Sequence, residues 1–390
     1  MDLLGRYYTA DAISNLLISN LQSKTPKKIL DLGIGDASLT IAAHTKWGSA
    51  QFYATEIERN RAKRIEKKLS FIKVLNYDTL QPNLSSKLQI QYGSMDIAIC
   101  NPPYIRVEDK NKYKSLFESI GCGKFNELKK ITSEIVFFAH NLKLLKKSGE
   151  LGIIVSDTLI TGKEYKIFRE TILENFSVRR IIQLPDNVFN KTEARTHIIF
   201  ISKQKTQGLT CELFLSDSLG KLLKGIKVDE PNLSNRMDYL FYQNSNSSLV
   251  YNKTLKEIGA TIKRGKFSYV DLRNGKLPYF HSVHFKDFDK KIIFEKYLSK
   301  KHFDYSVSKG DILMCRVGKR IVGRTAIVSK GSAIISDCIY KITVPFKFQK
   351  LVLESLTSVE GKIWLKAYAH GVCSQVISKS DLENFPLLIK

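Results

Sequence analysis

Residues 29–42 read ILDLGIGDASLTIA: an apolar run, a turn carrying two glycines, then a helical pattern. Gly33 and Gly35 let the backbone turn tightly and approach a ligand, with Asp31 near the carboxyl end of the strand. The full G-x-G-x-x-G pattern fails, because Ser38 stands after the two glycines, which disfavours a nicotinamide dinucleotide. Outward from this unit, strands are expected at Lys28–Leu32, Gln51–Glu56, Phe71–Asp78, Met95–Asn101, Gly149–Ser156, Arg179–Leu184 and Thr196–Ser202. Helical patterns such as Ile57–Leu69 and Ile135–Lys147 lie between the first five. This alternation predicts an α/β fold, a doubly wound, mostly parallel sheet with helices on both faces. The last two strands are joined by PDNVFNKTEAR with no helix, which predicts an antiparallel hairpin at the edge.

The 390 residues are enough for two domains, and 43% hydrophobic content supports buried cores. A formal net charge of +24 points to a polyanionic partner, with nucleic acid the commonest, although a lysine-rich surface also gives solubility. Cysteines 100, 122, 211, 315, 338 and 373 are scattered, with no Cys-x-x-Cys, so neither a metal site nor a disulfide framework is expected. No charged-then-apolar leader and no membrane-length apolar run is seen, so a soluble cytoplasmic protein, nucleoid-associated through its partner and without membrane contact, is expected. After Gly208 the strand–helix alternation stops, and NSNSS at 244–248 reads as a polar linker. From Thr261 to Ala326 sixteen Lys/Arg face six Asp/Glu, interleaved with Phe267, Tyr269, Tyr279, Phe280, Phe285 and Phe288. Basic residues mixed with aromatics suit a phosphate backbone and base edges.

Three carboxylates fall at successive strand ends: Asp31, Glu56 and Asp78. Ligands of such sheets bind at the carboxyl ends of the strands. One acid there can accept two ribose hydroxyls and another an adenine amino group, while an acidic rim repels pyrophosphate and welcomes a cation. S-adenosylmethionine has these features, although each acid alone could be an ordinary solvated strand end. The fourth strand then runs into IAICNPPYIR (97–106). Two prolines remove two N–H donors, leaving an acceptor-rich surface of the Asn101 side-chain oxygen and the Pro102 carbonyl. Two acceptors on an exocyclic amine favour a pyramidal nitrogen with its lone pair free to attack, and fixed dipoles stabilise the charge that develops. Tyr104 can stack on the base.

With these motifs in place, the chain resembles the gamma-class adenine-N6 DNA methyltransferases of restriction–modification systems, over nearly its whole length. GRYYTADAISNLL (5–17) is similar to their N-terminal cofactor motif, which implies that Thr9 contacts the methionine carboxylate; Ala10 stands where the family usually has proline. LDLGIGDAS matches the cofactor loop, with Asp36 and Ala37 departing from its usual ending, and NPPYIR matches the catalytic motif. SEIVFFAHNLKLLKKSGELGIIVSD (133–157) implies that Phe137 lies against the cofactor's adenine. NVFNKTEARTHIIFIS (187–202) implies a hairpin closing over a flipped base, with Phe189 as a second stacking ring or a plain core residue. KGDILMCRVGKRIVGRTAIVS (309–329), SDCIYKITVP (336–345) and GKIWLKAYAHGVCSQVISKSDLENFPLLI (361–389) resemble one target-recognition domain of type I specificity subunits. The resemblance implies a catalytic domain over 1–230 and an α+β recognition domain over 231–390, with Arg316, Lys319, Arg320 and Arg324 as DNA-contact candidates.

The implied activity is transfer of a methyl group from S-adenosylmethionine to a flipped-out adenine of double-stranded DNA, with a companion restriction endonuclease as a further partner. The polar segment 105–134 is expected to be a mobile loop that orders over DNA. Competing readings are cytosine-N4 methylation, an RNA substrate, a protein glutamine methyltransferase sharing NPPYI, and a non-catalytic DNA specificity module. The glutamine enzymes carry an extra N-terminal domain and no recognition domain, the reverse of this layout. Glu-x-Lys triplets at 66–68 and 164–166 fall in predicted helices without a strand-borne Asp, so cleavage by this chain is not expected.

Overall fold

The computed structural model describes residues 11–81, 83–185, 195–245, 253–275, 277–286, 290–298, 305–318, 320–371 and 375–388. It divides into two compact units, Met1–Tyr242 and Gln243–Lys390.

In the first unit the strands are β1 (Lys28–Leu32), β2 (Gln51–Glu56), β3 (Ile72–Asn76), β4 (Met95–Cys100), β5 (Leu145–Ser156), β6 (Ser177–Gln183), β7 (Thr196–Ser202), β8 (Thr210–Leu215) and β9 (Ile226–Asp229). The main helices are α1 (Asp11–Ser19), α2 (Ser38–Lys46), α3 (Arg59–Lys68), α4 (Leu84–Leu88), α5 (Lys114–Ser119), α6 (Ser133–Leu144), α7 (Asp157–Thr161) and α8 (Lys166–Asn175). The strands form one sheet in the order β3-β2-β1-β4-β5-β7-β6-β8-β9. Its first five neighbours are parallel. One apolar layer joins α1, α2 and α3 to one face through Leu17, Leu39, Ile65 and Phe200. The other joins α5, α6 and α8 through Phe117, Phe138 and Phe168. Cover on both faces is why β4 reads as a nearly unbroken apolar run. The strand order reverses where β1 lies between β2 and β4, so their carboxyl ends open a crevice.

Three features differ from the sequence reading. β7 runs antiparallel to both β5 and β6, as a hairpin should, but it is not the edge: β8 pairs with β6 and β9 with β8. β5 begins at Leu145, inside the expected helix, because Leu145 pairs with Met95. Segment 105–134 is packed rather than loose: Tyr113, Leu116, Phe117, Phe125, Leu128 and Ile131 are all buried in the core.

The first unit also runs past the expected boundary at 230, and the buried Arg169 explains why. Its guanidinium donates to the carbonyls of Leu159 and Gly162 at 2.9 Å, Ser234 at 2.9 Å and Asn235 at 2.8 Å. Burial lowers its pKa to about 10, with the Arg236 charge adding to the effect. Arg236 in turn grips the fully buried Asp238 at 2.7 and 2.8 Å. Residues 234 and 235 are therefore stitched to α8 and, through the same guanidinium, to the segment 159–162.

In the second unit β10 (Thr261–Arg264), β12 (Lys291–Ile293), β14 (Ile312–Cys315), β15 (Thr325–Lys330) and β17 (Ile339–Thr343) form one sheet, and β11 (Tyr279–Phe280), β13 (Ser306–Ser308) and β16 (Ser332–Ile335) another. Helices Gln349–Thr357 and Val359–Tyr368 cover the larger sheet through Val352, Leu356, Trp364 and Leu365. This is an α+β unit with a second small core around Phe280, Leu313 and Val328. Among the described residues no helix is long and apolar enough to cross a membrane.

Replacing Arg169 by Met strands the two buried carbonyls of Leu159 and Gly162 and frees the two part-buried ones of Ser234 and Asn235, so Arg169→Met should lower stability by about 3 kcal/mol. Urea unfolding followed by circular dichroism checks this.

Candidate active site

The crevice at the strand ends is a cavity lined by residues from four consecutive strand–loop junctions. After β1 the chain turns through Gly33 (φ 76°), Gly35 (φ 59°) and Ala37 (φ 69°), all left-handed. The turn is pinned from β2. Gly33 N–H donates to Thr55 Oγ1 at 2.9 Å, Ile34 N–H to the Thr55 carbonyl at 2.9 Å, and Gly35 N–H to Glu56 Oε2 at 3.2 Å. A Cβ on Gly33 would lie 3.0 Å from Phe137 Cε1, so the glycine lets the loop rest against that ring. A Cβ on Gly35 would meet no atom closer than 3.9 Å.

Asp31 is 2% exposed and accepts from Thr40 Oγ1 at 2.7 Å. Burial pushes its carboxyl up to about 7; the Thr40 hydrogen bond opposes this and the charges of Asp36 and Glu56 add to it. The buried Glu56 is held by Gly35 and by Glu58 N–H at 2.9 Å on its other oxygen. Asp78 accepts from Leu80 N–H at 2.9 Å and Gln81 Nε2 at 3.0 Å. These acids, with Gly33, Gly35, Phe137 and Asn101, face one cavity. The chemistry of that lining suits a cation that also carries hydroxyls and an amine: four carboxylates (Asp31, Asp36, Glu56 and Asp78) against one guanidinium, Arg61, and apolar walls from Ile34, Leu39, Ile57 and Leu80. Among the described residues no group of His, Cys, Asp or Glu is arranged to hold a metal ion.

Asn101 follows β4 directly and Pro102 is buried beneath it. The Tyr104 hydroxyl donates to Asn101 Oδ1 at 3.2 Å, which orients the carboxamide. The next turns are fixed by α6. Ser133 Oγ donates to the Pro103 carbonyl and accepts from Ile105 N–H at 3.2 Å, while Ser133 N–H donates to the Ile105 carbonyl at 2.9 Å. Arg106 bridges to Thr132, and Val107 N–H donates to the Ile131 carbonyl at 3.0 Å. The neighbouring Glu134, 2% exposed, accepts from Ser156 N–H at 2.7 Å at the end of β5, and burial raises its pKa. Pro103 and Ile105 line the cavity with Asn101; Pro102 and Tyr104 are not part of that lining.

The structure thus brings Asp31, Gly33, Gly35, Glu56, Asp78, Asn101 and Phe137 to one cavity. Thr9, Phe189 and Lys319 lie outside the described residues. In the second unit Arg316 Nε donates to the Asp337 carbonyl at 3.1 Å, Arg320 is exposed, and Arg324 Nη1 bonds the Phe285 carbonyl at 3.2 Å. Sequence reasoning missed Thr40, Thr55 and Thr79, whose hydroxyls buttress the loop (Thr55 to Thr79, 2.8 Å), and Ser133. Thr55 and Thr79 each adjoin a strand-end acid, the one available signal.

Left-handed backbone costs an alanine about 1–2 kcal/mol. Gly33→Ala should therefore lose this plus the Phe137 clash, and Gly35→Ala only the backbone cost, as read by chemical denaturation of the two variants.

A family model described as N-6 DNA Methylase matches residues 2–221, more than half of the chain. The Type II methyltransferase M.PstI of Providencia stuartii is 24% identical over 310 residues, 69% of this chain and 59% of that protein. The Type I restriction enzyme MpnII methylase subunit of Mycoplasma pneumoniae is 24% identical over 221 residues, 52% of this chain and 40% of that one. The chain spans about half the length of these curated relatives. In fold it is similar to the crystal structure of the type IIG restriction endonuclease BpuSI, with a TM-score of 0.53 at 14% identity, covering 97% of this chain and 57% of that one.

Proposed function

The chain belongs to the N-6 DNA methylase family, and from that premise we propose that it methylates the N6 amine of a flipped-out adenine in double-stranded DNA, using S-adenosylmethionine, within a restriction–modification system. The observation that carries this reading is Asn101 opening onto the same cavity as Asp31, Glu56 and Asp78. When bound, S-adenosylmethionine supplies an electrophilic methyl on a positively charged sulfur. The residues present fit it: Glu56, already fixed by two backbone donors, has lone pairs left for ribose hydroxyls, and Asp78 can accept from an adenine amine. Phe137, packed on Gly33, offers a ring face beside them, and Thr9 serves the carboxylate end.

The chain's own part is to hold and polarise the target amine. The Asn101 carboxamide oxygen and the Pro102 carbonyl accept its two N–H groups, drawing the lone pair out of conjugation, and stabilise the positive charge as the N–C bond forms. Tyr104 and Phe189 stack on the extruded ring, whose N6 is out of reach inside a duplex. Residues 243–390 serve as the target-recognition domain, with Arg316, Lys319, Arg320 and Arg324 toward the DNA and Arg324 anchored on the Phe285 carbonyl. A separate endonuclease completes the system; the names of the two curated relatives, a type II methyltransferase and a type I methylase subunit, support that setting.

Duplex DNA incubated with labelled S-adenosylmethionine should acquire label on adenine N6 at a defined sequence, read by base-resolution mapping. Label on cytosine N4, on RNA or on a protein glutamine instead would overturn the assignment. Asn101→Ala should lose about 10²–10³-fold in single-turnover methyl transfer with cofactor affinity retained.

Asp31 gives a pH signature. Its folded pKa is raised from 3.8 to about 7, so between those values the folded chain holds a proton that the unfolded chain has released, and unliganded stability falls as pH rises. A cationic ligand prefers the ionised carboxylate. Cofactor affinity should weaken by up to about tenfold per pH unit below 7 and level off above it, and calorimetry on Asp31→Asn should show the slope gone.

A further inference from the structure

Resting on the reading of residues 243–390 as the part that recognises the target, we propose that Arg264 reads a guanine base in the DNA site and that Asp337 holds it in position to do so.

Arg264 ends β10, opposite Tyr340 of β17, and its side chain is 52% exposed. Asp337 sits in the turn between β16 and β17 and grips Arg264 at two points: Nε donates to its backbone carbonyl and Nη2 to Oδ2, both at 3.0 Å. Those two donors are the side edge of the guanidinium. The end edge, one N–H from each terminal nitrogen, faces away from Asp337 and presents two parallel donors. That spacing matches the O6 and N7 acceptors of guanine in the major groove.

The grip is built into the backbone. Asp337 N–H donates to the Phe267 carbonyl at 2.9 Å, and Gly265 N–H to the Ile339 carbonyl at 3.1 Å. A Cβ on Gly265 would fall 2.1 Å from the Ser336 carbonyl oxygen, so only glycine lets the two segments approach this closely. Arg316 Nε donates to the same Asp337 carbonyl, so two guanidinium groups share one main-chain acceptor while the carboxylate itself bonds Arg264. Lys266, two residues after Arg264, lies over the exposed ring of Tyr305, at 5.2 Å. An exposed ion pair stabilises a fold little, and crowding cations around it costs more. A partner rich in acceptors offsets that repulsion.

The test maps methylation by the full-length chain on a random-sequence duplex library. Both Arg264→Ala and Arg264→Lys should relax one guanine position of the recognised sequence, by roughly 5- to 150-fold in preference, with the other positions kept. Asp337→Ala should relax the same position. Retained preference at the other positions of the recognised sequence reports that the second unit of each variant is folded. An unchanged recognition sequence overturns the proposal, whether rates are unaffected or fall uniformly and recover with lysine, which marks a phosphate contact. A wild-type chain that binds cofactor yet leaves DNA unmethylated overturns instead the reading on which the proposal rests, and the proposal with it.

Discussion

Two adjacent side chains at the start of α6 fix the loop after β4 and the end of β5. A segment with two successive prolines cannot continue a hydrogen-bonded ladder, so the backbone after Asn101 has to be fixed from outside. Ser133 does this with one hydroxyl and one amide on Pro103 and Ile105. Glu134, one residue on, closes the end of β5 through Ser156. The helix that carries them is buried from Ser133 through Leu142, so neither can move without disturbing the core. The course of the backbone after Asn101 is thus set by the packing of a buried helix.

Much of the first unit was legible because local pattern and tertiary role coincide. The alternation of apolar runs and helices gave the parallel order, and the point where that order reverses predicted which loops meet; Asp31, Glu56, Asp78 and Asn101 do share one cavity. The rest was hidden where those levels diverge. Segment 105–134 looks polar because its buried residues are spaced out, yet Phe117 and Phe125 are fully buried. β8 and β9 are short, half-exposed strands whose partners only the folded sheet supplies. Ser133 and the threonines act through contacts separated in sequence, and only the strand-end acids beside Thr55 and Thr79 mark any of them.

The second unit was harder still. Its strands are two to six residues long, and the larger sheet joins β10 to β17 across most of the unit. Charge counting found a basic region without separating cations that bond the fold from those that face outward. Arg324 and Arg264 both reach a main-chain carbonyl, but Arg264, in a strand with no motif around it, also pairs with a carboxylate and keeps half its side chain exposed. Such distinctions depend on where a guanidinium finds its acceptors, which composition does not encode.

Arg169 sets a rule for taking the molecule apart. Two of its four acceptors come from one neighbourhood, Leu159 and Gly162, and two from Ser234 and Asn235. A fragment ending at 230 would bury a cation with half its ligands missing, while one ending after Tyr242 keeps them all. Recombination that grafts a different second unit onto this scaffold therefore has a seam it must respect: the strap at 234–238 travels with the helix that carries Arg169, however much the polypeptide beyond it is exchanged.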